Sequence, residues 1–265
     1  MTSLDWADFG GISLTALLFL CAAALLAGAV DAIVGGGGLI QLPAMIVIMP
    51  GGSIIYSLAT SKIVGAVGTS AAAYTYSRKT SMDWGAIVRM SAATFPAAVA
   101  GAACASALPA SALNVVVLIA LALVVVYTLR KPDLGVIEAP RFDRRTQMTV
   151  MALGGAAIGF WDGLGPPGTG SFLVFLLVGL VGYSFLSASA TSKVVNVATN
   201  IGALVFFIPA GKVLWGLGLV MAVCNIVGGV LGATLAVRRG AAFVRRIFLA
   251  VVGALIVSVS VKFLI

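Results

Sequence analysis

The chain has 265 residues, of which 61% are hydrophobic and 9% charged, with a formal net charge of +8. An ordinary soluble domain carries about 25% charged residues, so a soluble protein of this size could not hide so much apolar surface in one core, and lipid becomes the second solvent. The basic residues lie between apolar runs, which makes them a topology signal and not a nucleic-acid surface.

The N-terminus, MTSLDWADFG, has no basic n-region and carries Asp5 and Asp8, so it does not read as a cleaved signal peptide. Apolar segments follow at about 12–34, 39–50, 57–76, 84–107, 111–129, 147–164, 170–182, 187–208, 213–237 and 243–264. Most approach the ~20 residues that a spanning helix needs. Segments 39–50 and 170–182 are shorter, and each either spans fully or returns part way across the bilayer. The long polar stretch RKPDLGVIEAPRFDRRTQ divides the chain near its middle. The expected organisation is a first membrane repeat over 1–129, a cytoplasmic linker over 130–146 and a second membrane repeat over 147–265.

The two halves match at one offset. Lys62 and Lys193, each closing an Ala-Thr-Ser-Lys tetrapeptide, are 131 residues apart. Asp31 and Asp162, Trp84 and Trp215, Gly101 and Gly232, and Gly37 and Gly168 repeat the same spacing. Identities aligned without a gap mark an internal duplication. Five segments per copy is an odd number, so the second copy is expected upside down. With the N-terminus outside, Arg78, Lys79, Arg130, Lys131, Arg141, Arg144, Arg145, Arg238, Arg239, Arg245 and Arg246 fall on the cytoplasmic side, and only Lys212 and Lys262 fall outside. That bias supports extracytoplasmic termini. The fold class is therefore an all-α membrane protein with two inverted-topology repeats of about five segments each, with broken or short helices near the midplane.

Two constellations carry chemistry. The first is a Gly-rich break after an acidic residue, GAVDAIVGGGGLIQLP around Asp31 and GFWDGLGPPGTGSF around Asp162. Such runs do not continue a helix cheaply, and backbone freed from helical bonding in a membrane must line a wet cavity or be satisfied by protein. The short helices expected after the breaks, near Leu39 and Ser171, would offer N–H groups to an anion. Gly37 and Gly168 sit in these turns; close helix packing is the plainer explanation of the glycines. GPPGTGS at 165–171 resembles the start of a P-loop, but Ser171 and Phe172 stand where Lys and Ser or Thr are required, and no strand precedes it. Nucleotide binding is rejected.

The second constellation is Thr60-Ser61-Lys62 and its copy Thr191-Ser192-Lys193. A lysine inside an apolar segment costs about 3 kcal/mol on insertion scales, and hydroxyls beside an ammonium suit an oxyanion. The alternative is charge neutralisation within each half, Asp31 with Lys62 and Asp162 with Lys193; both readings hold together if a pair opens to admit an anion. Asn196 and Asn200 share a helical face and offer amide groups, as does Gln41 in the first short segment. Interhelical hydrogen bonding is the competing role. Asp31, Asp162 and Gln41 are candidates for binding a coupling ion or partnering charge.

A Gly-rich loop after an acidic position, the Thr-Ser-Lys that follows it, and the recurrence of both resemble the TauE/SafE sulfite exporter family over nearly the whole chain. The first copy, with GGGG at 35–38, follows the family loop more closely than the second, which carries Pro166 and Pro167. The resemblance implies inner-membrane transport, usually export, of a sulfur-containing anion such as sulfite, sulfoacetate or a related organosulfonate. The expected partners are that anion, the bilayer and, in a homodimer, a second copy; no nucleic acid, cofactor or metal is required. An ion-coupled importer of another small solute is the alternative. With no His, and with Cys21, Cys104 and Cys224 scattered in apolar runs, no nucleophile–base or metal-ligand set points to an enzyme.

Overall fold

The computed structural model describes residues 9, 11–49, 54–105, 138–139, 141–165 and 168–264. Segment 111–129, Asp5, Asp8, Pro166, Pro167, Arg130 and Lys131 lie outside the described residues.

Nearly all of the described chain is helical, as lipid demands, because a helix satisfies its own backbone groups. Helix α1 (Leu14–Val34) starts at Ser13, whose side chain accepts the Ala16 N–H, and stops at Gly35 in the left-handed region (φ 80°). The short α2 (Gly38–Ile48) follows. Next come α3 (Ile54–Lys79) and α4 (Trp84–Cys104), the latter capped by Asp83. Helix α5 (Arg144–Leu164) is capped by Asp143 and stops at another left-handed glycine, Gly165. The short α6 (Thr169–Phe175) runs into a π turn (Leu176–Val181) that ends at Gly182. Helix α7 (Phe185–Phe207) is capped by Ser184, and α8 (Trp215–Leu264) is broken at Gly240 (φ 73°, ψ −173°). The two last segments expected from the sequence are thus two helices that meet at the kink at Gly240.

Among the described residues, four helices are long and apolar enough to cross a membrane: Leu14–Val34, Trp84–Cys104, Phe185–Phe207 and Trp215–Val251. The 11 residues of α2 span about 16 Å, well short of a hydrocarbon core of about 30 Å. Leu18, Val47, Leu153 and Val223 lie open on the outer surface, where lipid is their natural solvent.

The halves interleave. Helix α1 packs on α8 and α5 on α4, while α3 and α7 touch each other and pack on α8 and α4 respectively. Exchanging α1 with α5, α3 with α7 and α4 with α8 maps this pattern onto itself. The close approaches do the same. A Cβ added to Gly101 would lie 2.0 Å from the Phe160 carbonyl oxygen, and one added to Gly232 would lie 2.3 Å from that of Ala29. Likewise Gly159 abuts the Thr94 carbonyl and Gly28 that of Asn225. Each of these contacts maps onto its counterpart at the 131-residue offset. Without a hydrophobic force between helices in lipid, such small-residue approaches supply the packing. Gly101→Ala and Gly232→Ala are each expected to cost about 1–3 kcal/mol, the usual penalty of overpacking, because a backbone carbonyl cannot rotate away. Thermal unfolding of the purified protein checks this; unchanged stability in both would mean that the helix pairs part freely.

Contacts at the helix ends sort the charges. At one end Lys79 donates to Thr234, Arg144 pairs with Asp83, and Ser187 donates to Glu138. Arg144 beside Asp83 holds that carboxyl below its ordinary value. At the other end Lys212 lies 5.2 Å from the centre of the Tyr56 ring, and Ile12 packs with Leu214 and Leu217. Helices α1, α3 and α8 start at or run from the Lys212 end; α4, α5 and α7 start at the arginine end.

Candidate functional site

Two ion pairs lie where the halves meet, and they cross between them. Lys62 Nζ lies 2.7 Å from Asp162 Oδ1, and Lys193 Nζ lies 2.9 Å from Asp31 Oδ2. The pairing within each half, Asp31 with Lys62 and Asp162 with Lys193, is corrected. Both aspartates lie in the last turn of a helix that stops at its glycine, and the lysine that reaches each one comes from the other half, Lys193 of α7 to Asp31 and Lys62 of α3 to Asp162. Each lysine also donates to the backbone carbonyl of its aspartate, Lys62 to Asp162 O at 2.8 Å and Lys193 to Asp31 O at 2.5 Å. Those carbonyls also accept the capping N–H of Gly165 and Gly35. A helix C-terminus carries partial negative charge, which suits an ammonium there. Each lysine sits 8 residues beyond the start of its helix (62 − 54; 193 − 185), about 12 Å along it.

A cavity of about 80 Å³ opens beside these pairs, room for several waters or a small oxyanion. Asp31, Gln41, Ser61, Lys62, Asp162, Asn196, Asn200, Gly37 and Gly168, all sequence candidates, line it. Its wall is made where the two helix breaks touch. Gly35 lies against Gly170, and an added Cβ on either would fall 2.1–2.4 Å from the other's backbone.

The other candidates are engaged elsewhere. Thr60 Oγ1 accepts the Leu214 N–H at 3.0 Å, which ties α3 to the start of α8. Ser192 donates to Ser189 O within its own helix, and Lys193 is fully buried behind Asp31. Thr191 lines a separate cavity of about 400 Å³ at the arginine end, with Asp83, Arg144, Gln147, Tyr183 and Ser187. Ser61 reaches the site cavity but donates to Leu58 O at 2.7 Å, so it presents lone pairs there and not its proton. The N–H of Leu39, expected to face a ligand, donates to Gly36 O.

Residues that the sequence did not single out complete the wall. Thr169 donates to Asp162 Oδ1 at 2.7 Å and Thr69 to Asp31 Oδ2 at 3.3 Å. Asn225 donates to Ala24 O and to Gln41 Oε1. Gly65 and Gly68 of α3 leave space for the Asn200 and Asn225 side chains, which would crowd a Cβ there. The available signal was an isolated amide in an apolar helix, which is costly unless partnered or functional. Asn200 donates to Asn196 O, and Thr199 donates to Asn196 Oδ1, so the Asn196 amide is oriented by its own helix.

Taken together, the lining offers an ammonium, amides and hydroxyls in a small polar chamber, but its charges cancel in pairs. Lys62 is balanced by Asp162 and Asp31 by Lys193. Among the described residues no group of three or more His, Cys, Asp or Glu is placed to hold a metal.

Residues 20–259 match the family model described as "Sulfite exporter TauE/SafE". The chain is 33% identical over 229 residues to a probable membrane transporter protein, ORF9, of Sinorhizobium sp, covering 86% of each chain. It is 32% identical over 222 residues to the probable membrane transporter protein YfcA of Escherichia coli K12, covering 84% of this chain and 81% of that one. A probable membrane transporter protein of Haemophilus influenzae is 30% identical over 235 residues, with 89% and 90% coverage. No solved structure gives a significant match.

Proposed function

The chain belongs to the TauE/SafE family of membrane transporters, and from that premise we propose that it exports a small sulfur-containing anion, such as sulfite or an organosulfonate, across a bacterial inner membrane. The observation that carries this reading is the small polar cavity at the joined helix breaks, which Lys62 lines alongside amide and hydroxyl groups. An inside-negative potential drives each negative charge outward by about 2.3 kcal/mol per 100 mV, so efflux of a net anion needs no further energy source.

The proposed architecture is a pair of inverted repeats, 1–129 and 147–265, joined by a cytoplasmic linker at 130–146, with extracytoplasmic termini. Its support is the self-mapping of the helix contacts, the two crossed ion pairs and the opposed directions of α1 and α5. The collection of Arg78, Lys79, Arg144 and Arg145 at one end supports a cytoplasmic placement of that end. On this reading the larger cavity at the arginine end is the approach from the cytoplasm.

The test has two parts. Purified protein is screened by thermal shift and by transport in liposomes with sulfite, sulfate, thiosulfate, sulfoacetate and chloride. Stabilisation by, and saturable efflux of, one of the sulfur oxyanions is the expected result; transport of none of them removes the proposed substrate class. A single cysteine at 141 in a cysteine-free background is expected to resist impermeant labelling in intact cells, and labelling would overturn the orientation.

A further inference from the structure

The site holds two lysines and two aspartates, so its fixed charge is +2 − 2 = 0. An anion entering such a site leaves it net negative in a medium that solvates charge poorly. The two aspartates are not equivalent. Asp31 Oδ2 receives both Lys193 and Thr69, and the Asp31 side chain is 15% exposed. On Asp162, Oδ1 receives both Lys62 and Thr169, while Oδ2 has no hydrogen-bond partner. Asp162 is only 5% exposed and lines the cavity. A buried carboxylate oxygen without a donor is costly, because water no longer compensates it.

We infer that Asp162 is a proton-binding site filled together with the transported anion, the proton residing on Oδ2. This deepens the anion-transport reading and rests on it. The step forms one O–H bond at Oδ2 from a solvent proton and breaks no covalent bond. The carboxylate becomes a neutral acid, so the Lys62 ammonium loses its counter-charge and turns to the anion. The new O–H donates to an anion oxygen. For a monoanion the site's charge returns to zero. A dianion moved with one proton still carries one negative charge outward, so the membrane potential continues to favour export.

A metal cation fits the same oxygen poorly. The Lys62 ammonium already sits on this carboxylate, Asp31 is held by Lys193, and among the described residues no group of three or more His, Cys, Asp or Glu is placed to hold a metal. Among the described residues the charged groups around Asp162 are few. Lys62 comes from α3 and Asp31 from α1, with Lys193 of α7 behind it; α6 presents Thr169. On α4, Arg89 engages Met148 and Asp83 engages Arg144. Met148 and Arg144 precede Asp162 on α5 by 14 and 18 residues, about 21 and 27 Å along the helix. Lys62 is therefore the charge in direct contact with Asp162, with the Asp31–Lys193 pair also at the site.

The test counts protons. Full-length purified protein in weakly buffered detergent solution is titrated with sulfoacetate, whose own groups do not titrate near neutral pH, and heats are compared in buffers of different ionisation enthalpy. About one proton taken up per anion bound is expected. In Asp162→Asn preparations that bind, the uptake is expected to vanish; its persistence there places the proton elsewhere and overturns the inference. Because that variant can fail to fold, the wild type is also examined by infrared difference spectroscopy with isotope-labelled aspartate. A protonated aspartate carbonyl band appearing on anion addition is expected, and its absence overturns the inference. Anion binding with no proton uptake overturns the proton site alone. No binding of any sulfur oxyanion removes the substrate class and the proton site with it.

Discussion

Lys193→Met is expected to destabilise the protein by about 3–5 kcal/mol, the usual cost of leaving one member of a buried pair without its partner. Lys193 is fully buried and bonded to Asp31 through both the carboxylate and the carbonyl. Adding Asp31→Asn to it removes the orphaned charge, and most of the loss is expected to return. Adding Asp162→Asn instead breaks the second pair, because Asp162 belongs to Lys62, and the loss is expected to deepen. Pairing within each half would reverse those two outcomes, so thermal unfolding of the four proteins separates the arrangements. The Lys62→Met, Asp162→Asn double variant carries a further expectation. It should fold, since no unpaired charge remains, yet fail to transport, because Lys62 faces the cavity. Full transport by that double variant would remove Lys62 from the anion site.

The second large effect is at the crossing of the two helix breaks. Gly35 has φ 80°, and an added Cβ would meet the Gly170 backbone at 2.1 Å. Gly35→Ala combines left-handed strain of about 1–2 kcal/mol with a clash between two main chains, for which overpacking costs of about 1–3 kcal/mol are typical. Neither backbone can relieve it by changing rotamer, so the breaks must separate. Both glycines line the cavity, and transport is expected to be lost even in preparations that fold. Gly211→Ala is the control. Gly211 also has positive φ (65°) but has nothing within 4 Å of its would-be Cβ, so it should show the strain alone and keep transport. Equal effects at Gly35 and Gly211 would show that backbone strain alone, and not the crossing, sets the loss.

The sequence by itself determined the solvent and the helices, and it displayed identities recurring at one offset. Runs of apolar residues with so few charges have one stable environment, and nine of the ten apolar segments fall on described helices or helix halves; 111–129 lies outside them. The breaks at Gly35 and Gly165 were legible because four glycines, or Gly-Pro-Pro-Gly, cannot sustain helical bonding. Lys62, Lys193, Asp31 and Asp162 stood out because charge in an apolar segment is too costly to be incidental. The 131-residue offset was likewise visible from identities alone.

Only the tertiary structure decided which charge meets which. Residues 31 and 62 belong to the same half of the chain, yet α1 and α3 of that half hold their charges against α7 and α5 of the other. Nothing in a one-dimensional pattern distinguishes that crossed pairing from the local one, because both satisfy the same charge count. The hydroxyls were equally undecidable. Thr60 and Thr191 occupy equivalent places in the repeat, but one is tied to the start of α8 and the other lines a cavity at the arginine end. Ser61 spends its proton on its own helix. Asn225 entered the wall because Gly28 and Gly68 on facing helices leave room for it, a property of two surfaces together. A side chain's chemistry is written in the sequence; the direction of its one hydrogen and the identity of its one counter-charge are set by what the fold places within 3 Å of it.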